Sequence, residues 1–388
     1  MSVLDVSSCR ALLFGALLVT GGYAQAFEAP TQVPAAMSEK LLMSPLTAVT
    51  TAGKRLVAVG QRGHIAVSED GGQTWKQAAV PVSIDLVAVS FADEHNGWAV
   101  GHGGVVLHSQ NGGLSWALQL DGQQASQLIL DYYGDPARGG ALADAQSYVE
   151  REQILIGYGG TQPLMAVHFT DAQNGFVVGL FNRILHTADG GKSWEPWLHR
   201  IDNPNELHFY SLAADSKALY ITGEQGMVWR MERGSERFAA IPTGYTGTLF
   251  GATSNDEVLI AFGMRGSVFR STDAGANWQP VKLGTSAGIT AGTFLADGQL
   301  VLGSLAGEVA LSADGGQSFT ALNLKKSMPF FGLVAKPDGQ LTLVGATGVY
   351  REALALQALP GMGASAVVRG AADRQTTLLG AGYGHSHQ

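Results

Sequence analysis

Three arginines stand in or beside glycine-rich turns that recur along the chain: Arg62, Arg183 and Arg265. The guanidinium group is planar and donates hydrogen bonds in pairs, which suits it to carboxylates and to acidic protein surfaces. Each arginine could instead pair with a carboxylate of its own fold or be solvated, because turns commonly carry charge. The recurrence of polar side chains in these turns indicates a binding surface.

Acidic residues form the second set that could carry chemistry. The pattern Ser/Thr-x-Asp-Gly-Gly-x-Ser/Thr-Trp occurs five times, counting copies with one or two changes. Asn111 replaces the acid in the second copy, which is harmless for a turn-forming acceptor but would disable a catalytic acid. We therefore expect these side chains to accept backbone amides in their own turns, and the aromatic residues to wedge between neighbouring repeats. The structural positions are Asp70, Trp75, Asn111, Trp116, Asp189, Trp194, Asp273, Trp278, Asp314 and Phe319.

Motifs for other chemistry do not occur in the sequence. It has no His-Glu-x-x-His, no phosphate loop between a strand and a helix, and no Gly-x-Ser-x-Gly elbow. His108 and His186 occupy matching strand positions, which favours packing over a ligand pair. His385 and His387 lack a nearby carboxylate or thiolate ligand. We expect no cofactor, no metal site and no small-molecule substrate.

The elements that must position these residues repeat about every 40 residues. An alternating apolar strand ends in Gly-x-x-Gly, or in a variant of it, and the first glycines stand at 60, 101, 179, 223, 263, 303 and 345. Strict alternation, as in Leu86–Phe91, excludes the helical repeats of this length. Short strands and tight turns at this period predict an all-β fold, a seven-bladed β-propeller.

One interval between first glycines is nearly doubled, at 78 residues. It places an insertion of roughly 37 residues at about Asp121–Gln162, between blades two and three. Its apolar spacing predicts helices at 124–133 and 141–156. A helical hairpin on the rim of a propeller is a lid, a docking surface or a cap for exposed blade edges.

Strand order assigns these features to two faces. In a four-stranded blade, the turn after the second strand and the connection to the next blade emerge on one face, while the aspartate hairpins emerge on the other. The insertion therefore shares its face with the glycine turns, and we predict that this face binds a partner. The candidate residues are Arg62, His64, His102, Arg183, Glu224 and Arg265, with Tyr132 and Tyr133 from the insertion; Glu308 lies in an equivalent turn.

The N-terminal segment has the pattern of a cleaved secretory signal. Arg10 precedes the apolar run Ala11–Val19, and the small residues Ala24 and Ala26 predict cleavage after Ala26. We expect a protein exported to the periplasm or an equivalent compartment, with residues 1–26 removed. Cys9 precedes the apolar run, so it is neither placed for lipid attachment after cleavage nor retained in the mature chain.

We assign residues 27–360 to the propeller and the Gly/Ala-rich residues 361–388 to a flexible tail. The seventh blade lacks the aspartate hairpin, and its outer strand could come from Leu356–Leu359 or from Thr31–Ala35. Closure by the N-terminal segment would protect a bare strand edge. The residues alone leave both routes open.

The charge of the chain limits the classes of partner that we expect it to bind. The formal net charge is −8, and no run of Lys and Arg is longer than Lys325-Lys326. Affinity for phosphate backbones depends on such clusters, so we expect no nucleic-acid partner.

The repeated pair of Gly-x-x-Gly-x-Ile/Val and Ser/Thr-x-Asp-Gly-Gly-x-Ser/Thr-Trp resembles the photosystem II stability/assembly factor family. That family is akin to the bacterial neuraminidase-repeat, or Asp-box, proteins, and the resemblance covers roughly residues 45–355. It implies a non-catalytic propeller that binds membrane-protein assembly intermediates, partly through arginines on one face. Arg62, Arg183 and Arg265 are the positions that could correspond. Relatives outside photosynthetic organisms imply a partner among exporters and cell-envelope proteins.

The competing class is an exo-glycosidase of the sialidase kind, which resembles this chain through the same aspartate hairpins. Such an enzyme needs three arginines converging on a carboxylate, a Tyr/Glu nucleophile pair and an acid. Arg62, Arg183 and Arg265 could imitate the clamp, with Glu224 facing them, but the Arg-Ile-Pro segment of these enzymes is absent from the sequence. The sequence therefore favours an exported, non-enzymatic scaffold that binds a membrane protein or a membrane-protein complex.

Overall fold

Residues 28–354, which the computed structural model describes, form seven antiparallel sheets that follow one another along the chain. Blade one contains β1 (Leu46–Ala52), β2 (Arg55–Gly60), β3 (Ile65–Ser68) and β4 (Lys76–Gln77). Blade two contains β5 (Leu86–Phe91), β6 (Gly97–Gly101), β7 (Val106–Ser109) and β8 (Ala117–Leu120). Two helices follow, α1 (Gly122–Gly134) and α2 (Ala145–Gly157). Blade three contains β9 (Leu164–Phe169), β10 (Gly175–Gly179), β11 (Ile184–Thr187) and β12 (Glu195–Pro196).

The remaining blades repeat the same order of strands. Blade four contains β13 (Phe209–Ala214), β14 (Ala218–Gly223), β15 (Val228–Glu232) and β16 (Ala239–Ala240). Blade five contains β17 (Leu249–Ser254), β18 (Leu259–Gly263), β19 (Val268–Ser271) and β20 (Gln279–Val281). Blade six contains β21 (Ile289–Phe294), β22 (Leu300–Ser304), β23 (Val309–Ser312) and β24 (Thr320–Leu322). Blade seven contains β25 (Phe330–Ala335), β26 (Gln340–Gly345) and β27 (Gly348–Ala353).

The first strand of each blade contacts the first strand of the next, and β25 contacts β1. The seven inner strands therefore close a ring around a central axis. This confirms the seven-bladed propeller. Within residues 28–354, no helix has the length and apolar character needed to cross a membrane.

The apolar core is divided among the interfaces between neighbouring blades. Successive side chains of a strand point to opposite faces of its sheet, so a blade inside the ring buries both faces. One cluster joins blades one and two through Val57 and Leu107, and another joins blades seven and one through Val344 and Leu46. The second strands, such as β6 and β18, are accordingly buried along their whole length.

Blade seven has three strands among the described residues, and the N-terminal segment does not supply a fourth. The amide of Ala35 donates to the carbonyl of Val80 (3.0 Å), and that of Ser83 donates to the carbonyl of Pro30 (2.8 Å), which places this segment beside blade one. Of the two routes left open for the outer strand of blade seven, closure by Thr31–Ala35 is therefore ruled out. The other predicted strand, Leu356–Leu359, lies outside the described residues, as do the predicted signal (1–26) and tail (361–388).

Close backbone contacts explain the two glycines of each turn. Gly263 has extended backbone (φ −176°), and a Cβ there would lie 2.2 Å from the carbonyl oxygen of Thr248. Gly266 has a φ of +69°, and its Cβ would lie 2.1 Å from the carbonyl oxygen of Thr285, in the connection to blade six. The first glycine thus packs on its own inner strand, and the second on the link to the next blade.

The histidines of blades two and three pack as apolar side chains. His108 stacks on Trp98 with ring centroids 4.6 Å apart, and His186 lies at the same distance from Phe176. Burial lowers the pKa of His168 on β9 to about 4, with a smaller contribution from Arg233. These rings are therefore neutral in the folded protein near neutral pH.

Replacing Gly263 by alanine should destabilise the propeller by about 2 kcal/mol or more, because the new methyl group meets fixed backbone. The extended φ of Gly263 means that the loss would come from the contact and not from backbone strain. Gly134→Ala is the matched control, since nothing lies within 4 Å of a Cβ at Gly134. Thermal and urea unfolding of the two variants checks this; equal midpoints would contradict the contact.

Acidification should also destabilise the fold. The pKa of His168 is lowered from an ordinary value of 6.5 to about 4 by folding, so the unfolded chain takes up more protons as pH falls from 6.5 towards 4. The free energy of unfolding should decrease over this range by roughly 1–3 kcal/mol. His168→Gln should flatten the decrease in a pH series of urea melts. His95→Gln, at a histidine whose side chain is 62% exposed, should keep the original slope.

Candidate partner-binding face

The turns after each second strand lie against the residues that precede the inner strands. The amides of Gln61, Glu224 and Met264 donate to the carbonyls of Pro45, His208 and Thr248 at 3.4, 3.4 and 2.9 Å, and equivalent bonds occur in the other blades. These turns and the connections between blades therefore form one face of the ring, here called the turn face. The two residues between the glycines project outward from it.

Arg62 and Arg265 occupy the same place in the turns of blades one and five. Both are exposed and both have left-handed backbone, with φ of 55° and 58°. The amide of Arg62 donates to Asp85 Oδ1 (2.8 Å), which holds the turn while the guanidinium group points away from it. Neither side chain has an ion-pair or hydrogen-bond partner among residues 28–354.

The other turn residues are less available to a partner. His102 is exposed, whereas His64 is only 8% exposed, and burial followed by the charge of Arg62 lowers its pKa. Glu224 is half-buried and accepts a hydrogen bond from the amide of His208 (2.9 Å). His102 and part of Glu224 thus remain on the surface. The expectation that His64 contacts a partner is wrong for the fold as it stands, because its ring is buried.

Arg183 is buried and is not part of the binding surface. Its side chain is 2% exposed and donates to Glu152 Oε1 of α2 (2.7 Å) and to Gln162 Oε1 (3.1 Å). The predicted partner contact is therefore wrong. Arg183 lies four residues after Gly179, which matches His64 and not Arg62, and this offset is readable in the sequence.

At the position equivalent to Arg62, blade three carries Phe181, with a φ of 57° and 40% exposure. Its next residue, Asn182, replaces the second glycine and accepts a hydrogen bond from Asn203 Nδ2 (2.9 Å). A side chain fits there because the connection from blade three to blade four is long. The turn of blade three therefore presents an aromatic ring where blades one and five present a charge.

The insertion covers the outer edge of blade three. α1 begins at the turn face with a capping box, in which Asp121 and Gln124 each accept the other's amide at 2.9 Å. At its other end Tyr132 donates to Glu195 Oε1 (3.2 Å), and Tyr133 Oη lies 2.9 Å from His199 Nδ1. Tyr133 is 2% exposed, so the expected role in partner binding is wrong; it packs the helix on the propeller. Tyr132 is half-buried.

A cleft of about 500 Å³ separates α2 from the connection between blades three and four. Its charged and polar lining includes Asp144, Tyr148, His199, Asp202, Glu206 and Arg237. The sequence reasoning missed this cleft, because its walls come from segments that are distant along the chain and share no motif. Arg237 pairs with Asp202 across 3.3 Å, and Arg151 contacts Glu206 beside the cleft.

The aspartate hairpins lie on the opposite face, here called the aspartate face. Asp70 accepts the amides of Gln73 and Thr74 at 2.9 Å, and the hydroxyl of Ser68 donates to it. The hydrogen bond from the Thr74 side chain is the largest of the effects that hold the pKa of Asp70 far below its ordinary value. A carboxylate bound in this way by its own turn is unsuited to proton transfer.

The arrangement does not form a sialidase-type clamp. Arg183 is committed to Glu152, and Arg62 and Arg265 stand on separate blades. Within residues 28–354, no group of three His, Cys, Asp or Glu side chains could hold a metal ion.

A family model described as "Photosynthesis system II assembly factor YCF48" matches residues 47–127 and 152–321. The chain belongs to this family. The two matched ranges leave out residues 128–151, which comprise most of α1, the link between the helices and the first half of α2. The part of the insertion that covers blade three therefore stands outside the match.

Two curated relatives carry the name "Photosystem II assembly lipoprotein Ycf48". The protein of Prochlorococcus marinus is 29% identical over 192 residues, 46% of this chain and 54% of the relative. That of Synechococcus sp. is 28% identical over 119 residues, 29% of this chain and 35% of the relative. The chain thus spans about half the length of these relatives, or less.

Two solved structures share the fold. "YCF48 bound to D1 peptide" superposes with a TM-score of 0.60 at 17% identity, covering 84% of this chain and all of that one. "YCF48 from Cyanidioschyzon merolae" gives a TM-score of 0.57 at 17% identity, covering 81% and 96%. At identities this low, the similarity shows a shared architecture and no more.

Arg183→Met should destabilise the protein by about 3–5 kcal/mol, because Glu152 would remain buried without its counter-charge. Amide hydrogen exchange should rise along α2, which Glu152 anchors to blade three. The double variant Arg183→Met/Glu152→Leu should recover most of the loss, since it removes both charges. Arg62→Met, the same change at an exposed arginine, is the control. If Arg183→Met melts like Arg62→Met, the buried pair does not hold the insertion.

Proposed function

We propose that this protein is an exported, non-catalytic propeller that binds a membrane-protein partner during assembly, using the turn face. The observation that carries the proposal is the pair Arg62 and Arg265. Both are exposed, equivalent in position and without an ion-pair partner among residues 28–354. Membership of the assembly-factor family supports the class of function.

The backbone of these arginines supports a role outside folding. A non-glycine residue at positive φ costs the fold roughly 1 kcal/mol or more, and glycine occupies the same place in blade two as Gly103. Neither arginine gains an ion pair or a side-chain hydrogen bond within residues 28–354. Its guanidinium group is left free to donate two parallel hydrogen bonds to a carboxylate of a partner.

The partner that fits is an acidic peptide segment or loop of a membrane protein. Arginines on separate blades can engage separate carboxylates of one extended segment, and His102 and Phe181 stand in intervening turns. A related structure is titled as a complex with D1 peptide, which supports a peptide-like partner. An exporter or envelope protein would satisfy the same chemistry.

Two observations support a location at a membrane on the exported side. The N-terminal pattern around Ala11–Val19 is that of a secretory signal. Both curated relatives are named lipoproteins.

Arg62→Ala/Arg265→Ala should weaken capture of the partner at least tenfold, because each lost charge-assisted contact is worth about 1.5–3 kcal/mol. Tagged protein would be used to pull down partners from detergent-solubilised membranes of the source organism, followed by titration with acidic peptides of the captured protein. Lys54→Ala/Lys192→Ala removes the same charge from the aspartate face and should bind as the parent does. Equal capture by both double variants, with unchanged melting, would reject the turn face as the binding site.

A further inference from the structure

The two faces of the ring differ in charge. The aspartate face consists of the loops from first to second strands and from third to fourth strands, where carboxylates outnumber Lys and Arg by more than two to one. Asp93, Glu94, Asp256 and Glu257 are examples from two of these loops. The aspartate face therefore carries a marked excess of negative charge.

Cations collect on the turn face between blade five and the start of blade one. Exposed side chains there are Lys40, Arg265, Lys282, Lys325 and Lys326. Within the described part of the chain, none of them has an ion-pair partner or a side-chain hydrogen bond. Glu39 and Glu308 are the acids of the same loops. We call the surface formed by the loops 39–43, 264–265, 282–284, 305–308 and 325–326 the basic sector.

Contacts between neighbouring loops show that the basic sector is continuous. Ser327 Oγ lies 3.1 Å from the carbonyl oxygen of Gly307, which joins the loop of Lys325 and Lys326 to the turn of blade six. A Cβ at Gly266 would meet the carbonyl of Thr285, three residues after Lys282. A Cβ at Gly348 would meet the carbonyl of Leu42. The loops therefore touch in order from blade five round to the N-terminal turn at Leu41–Met43.

Large apolar side chains stand among these cations. Met264 and Leu305 are 38% and 40% exposed at the turns of blades five and six, and Leu42 and Met43 are 38% and 74% exposed beside blade seven. A Cβ at Gly288 would lie 3.2 Å from Phe250 and 3.4 Å from Leu305, so apolar surface continues inward from the turns. Exposed apolar groups ringed by unpaired cations are a signature of an interaction surface.

We propose that the basic sector rests on a lipid bilayer with anionic headgroups. The lysines and Arg265 would face lipid phosphates, while Met264, Leu305 and Met43 would enter the interfacial layer. The acidic aspartate face is repelled by the same surface, so the ring would lie with its turn face towards the membrane. This goes beyond the proposed function, because it concerns lipid; of the residues proposed to bind a protein partner, only Arg265 also lies in the basic sector.

Geometry favours a bilayer over a single protein partner. The apolar and basic side chains come from separate loops that all lie on the turn face of the ring. They are spread singly over a broad surface and not gathered into one pocket, as an anchor residue of a protein partner would require. A planar, fluid surface with dispersed negative charge matches that distribution.

The test is co-sedimentation with phosphatidylcholine vesicles and with vesicles containing about one third phosphatidylglycerol. Parent protein should bind the anionic vesicles and lose binding as salt is raised. Lys282→Gln/Lys325→Gln/Lys326→Gln should weaken that binding at least tenfold. Lys54→Gln/Lys192→Gln/Lys336→Gln, the same charge change on the aspartate face, should not. The apolar run Ala11–Val19 is the same in the parent and in every variant, so any affinity of this run for lipid contributes equally to all the measurements.

A second pair of variants tests the apolar contribution. Met264→Gln/Leu305→Gln should weaken binding several-fold with charge unchanged, whereas Leu114→Gln/Leu118→Gln, in blade two and outside the sector, should leave it unchanged. Equal binding by the two lysine triples, or equal binding to neutral and anionic vesicles, overturns the proposal. So does a lysine triple that loses capture of a membrane protein while lipid binding is unaltered. Partner capture by Arg62→Ala/Arg265→Ala is scored separately, so either proposal can fail alone.

Discussion

The backbone groups that approach the paired glycines of most turns are the constraint on which the rest of the ring depends. At Gly263 and Gly266 the space for a Cβ is already occupied by the backbone of Thr248 and Thr285. The contact with Thr248 holds the turn against its own inner strand, and the contact with Thr285 holds it against the connection to the next blade. Together these two carbonyl groups fix the position of the turn relative to both blades. The two residues between the glycines meet no such demand. They point outward, so the residue type at these positions can vary without disturbing the turn. This explains why Arg62, His102 and Phe181 differ while the glycines recur.

The insertion is held to this frame by different physics. Arg183 occupies a position that begins the third strand, and burial of a guanidinium group is unfavourable unless a charge and hydrogen bonds accompany it. Glu152 of α2 supplies the charge and Gln162 a further acceptor. The pair adds little net stability compared with an apolar contact, but it specifies one position of α2 on the propeller. Any displacement of α2 would leave two buried charges without their partners. The family match leaves out residues 128–151. The ion pair between Arg183 and Glu152 therefore lies next to a segment that the family model does not cover.

Much of the fold was predictable because it repeats. The interval between glycines locates seven blades, and the one doubled interval locates α1 and α2. The candidate site was predictable only in part. Arg62 and Arg265 were found because they lie two residues after a first glycine, whereas Arg183 was misplaced by treating nearness to a glycine as equivalence of position. Burial of Tyr133 and His64 depends on long-range packing against His199 and the neighbouring blade, which periodicity does not report. The route of the N-terminal segment, which the residues alone left open, is decided by its tertiary contact with Val80.

The unequal faces explain how a ring of nearly identical units acquires a direction. The aspartate hairpins use carboxylates to accept their own backbone amides, and those carboxylates accumulate on one side. Burial raises the pKa of Asp314, but hydrogen bonds, of which the one from the Ser318 side chain is the largest, lower it to about 2. The charge of Asp314 therefore persists at any physiological pH. The opposite side receives no obligatory acid from the repeat. Even a few lysines and arginines placed in its turns therefore suffice to give the disc a polarity, and the repeat that builds the fold also determines which side is left for an anionic surface or an acidic partner.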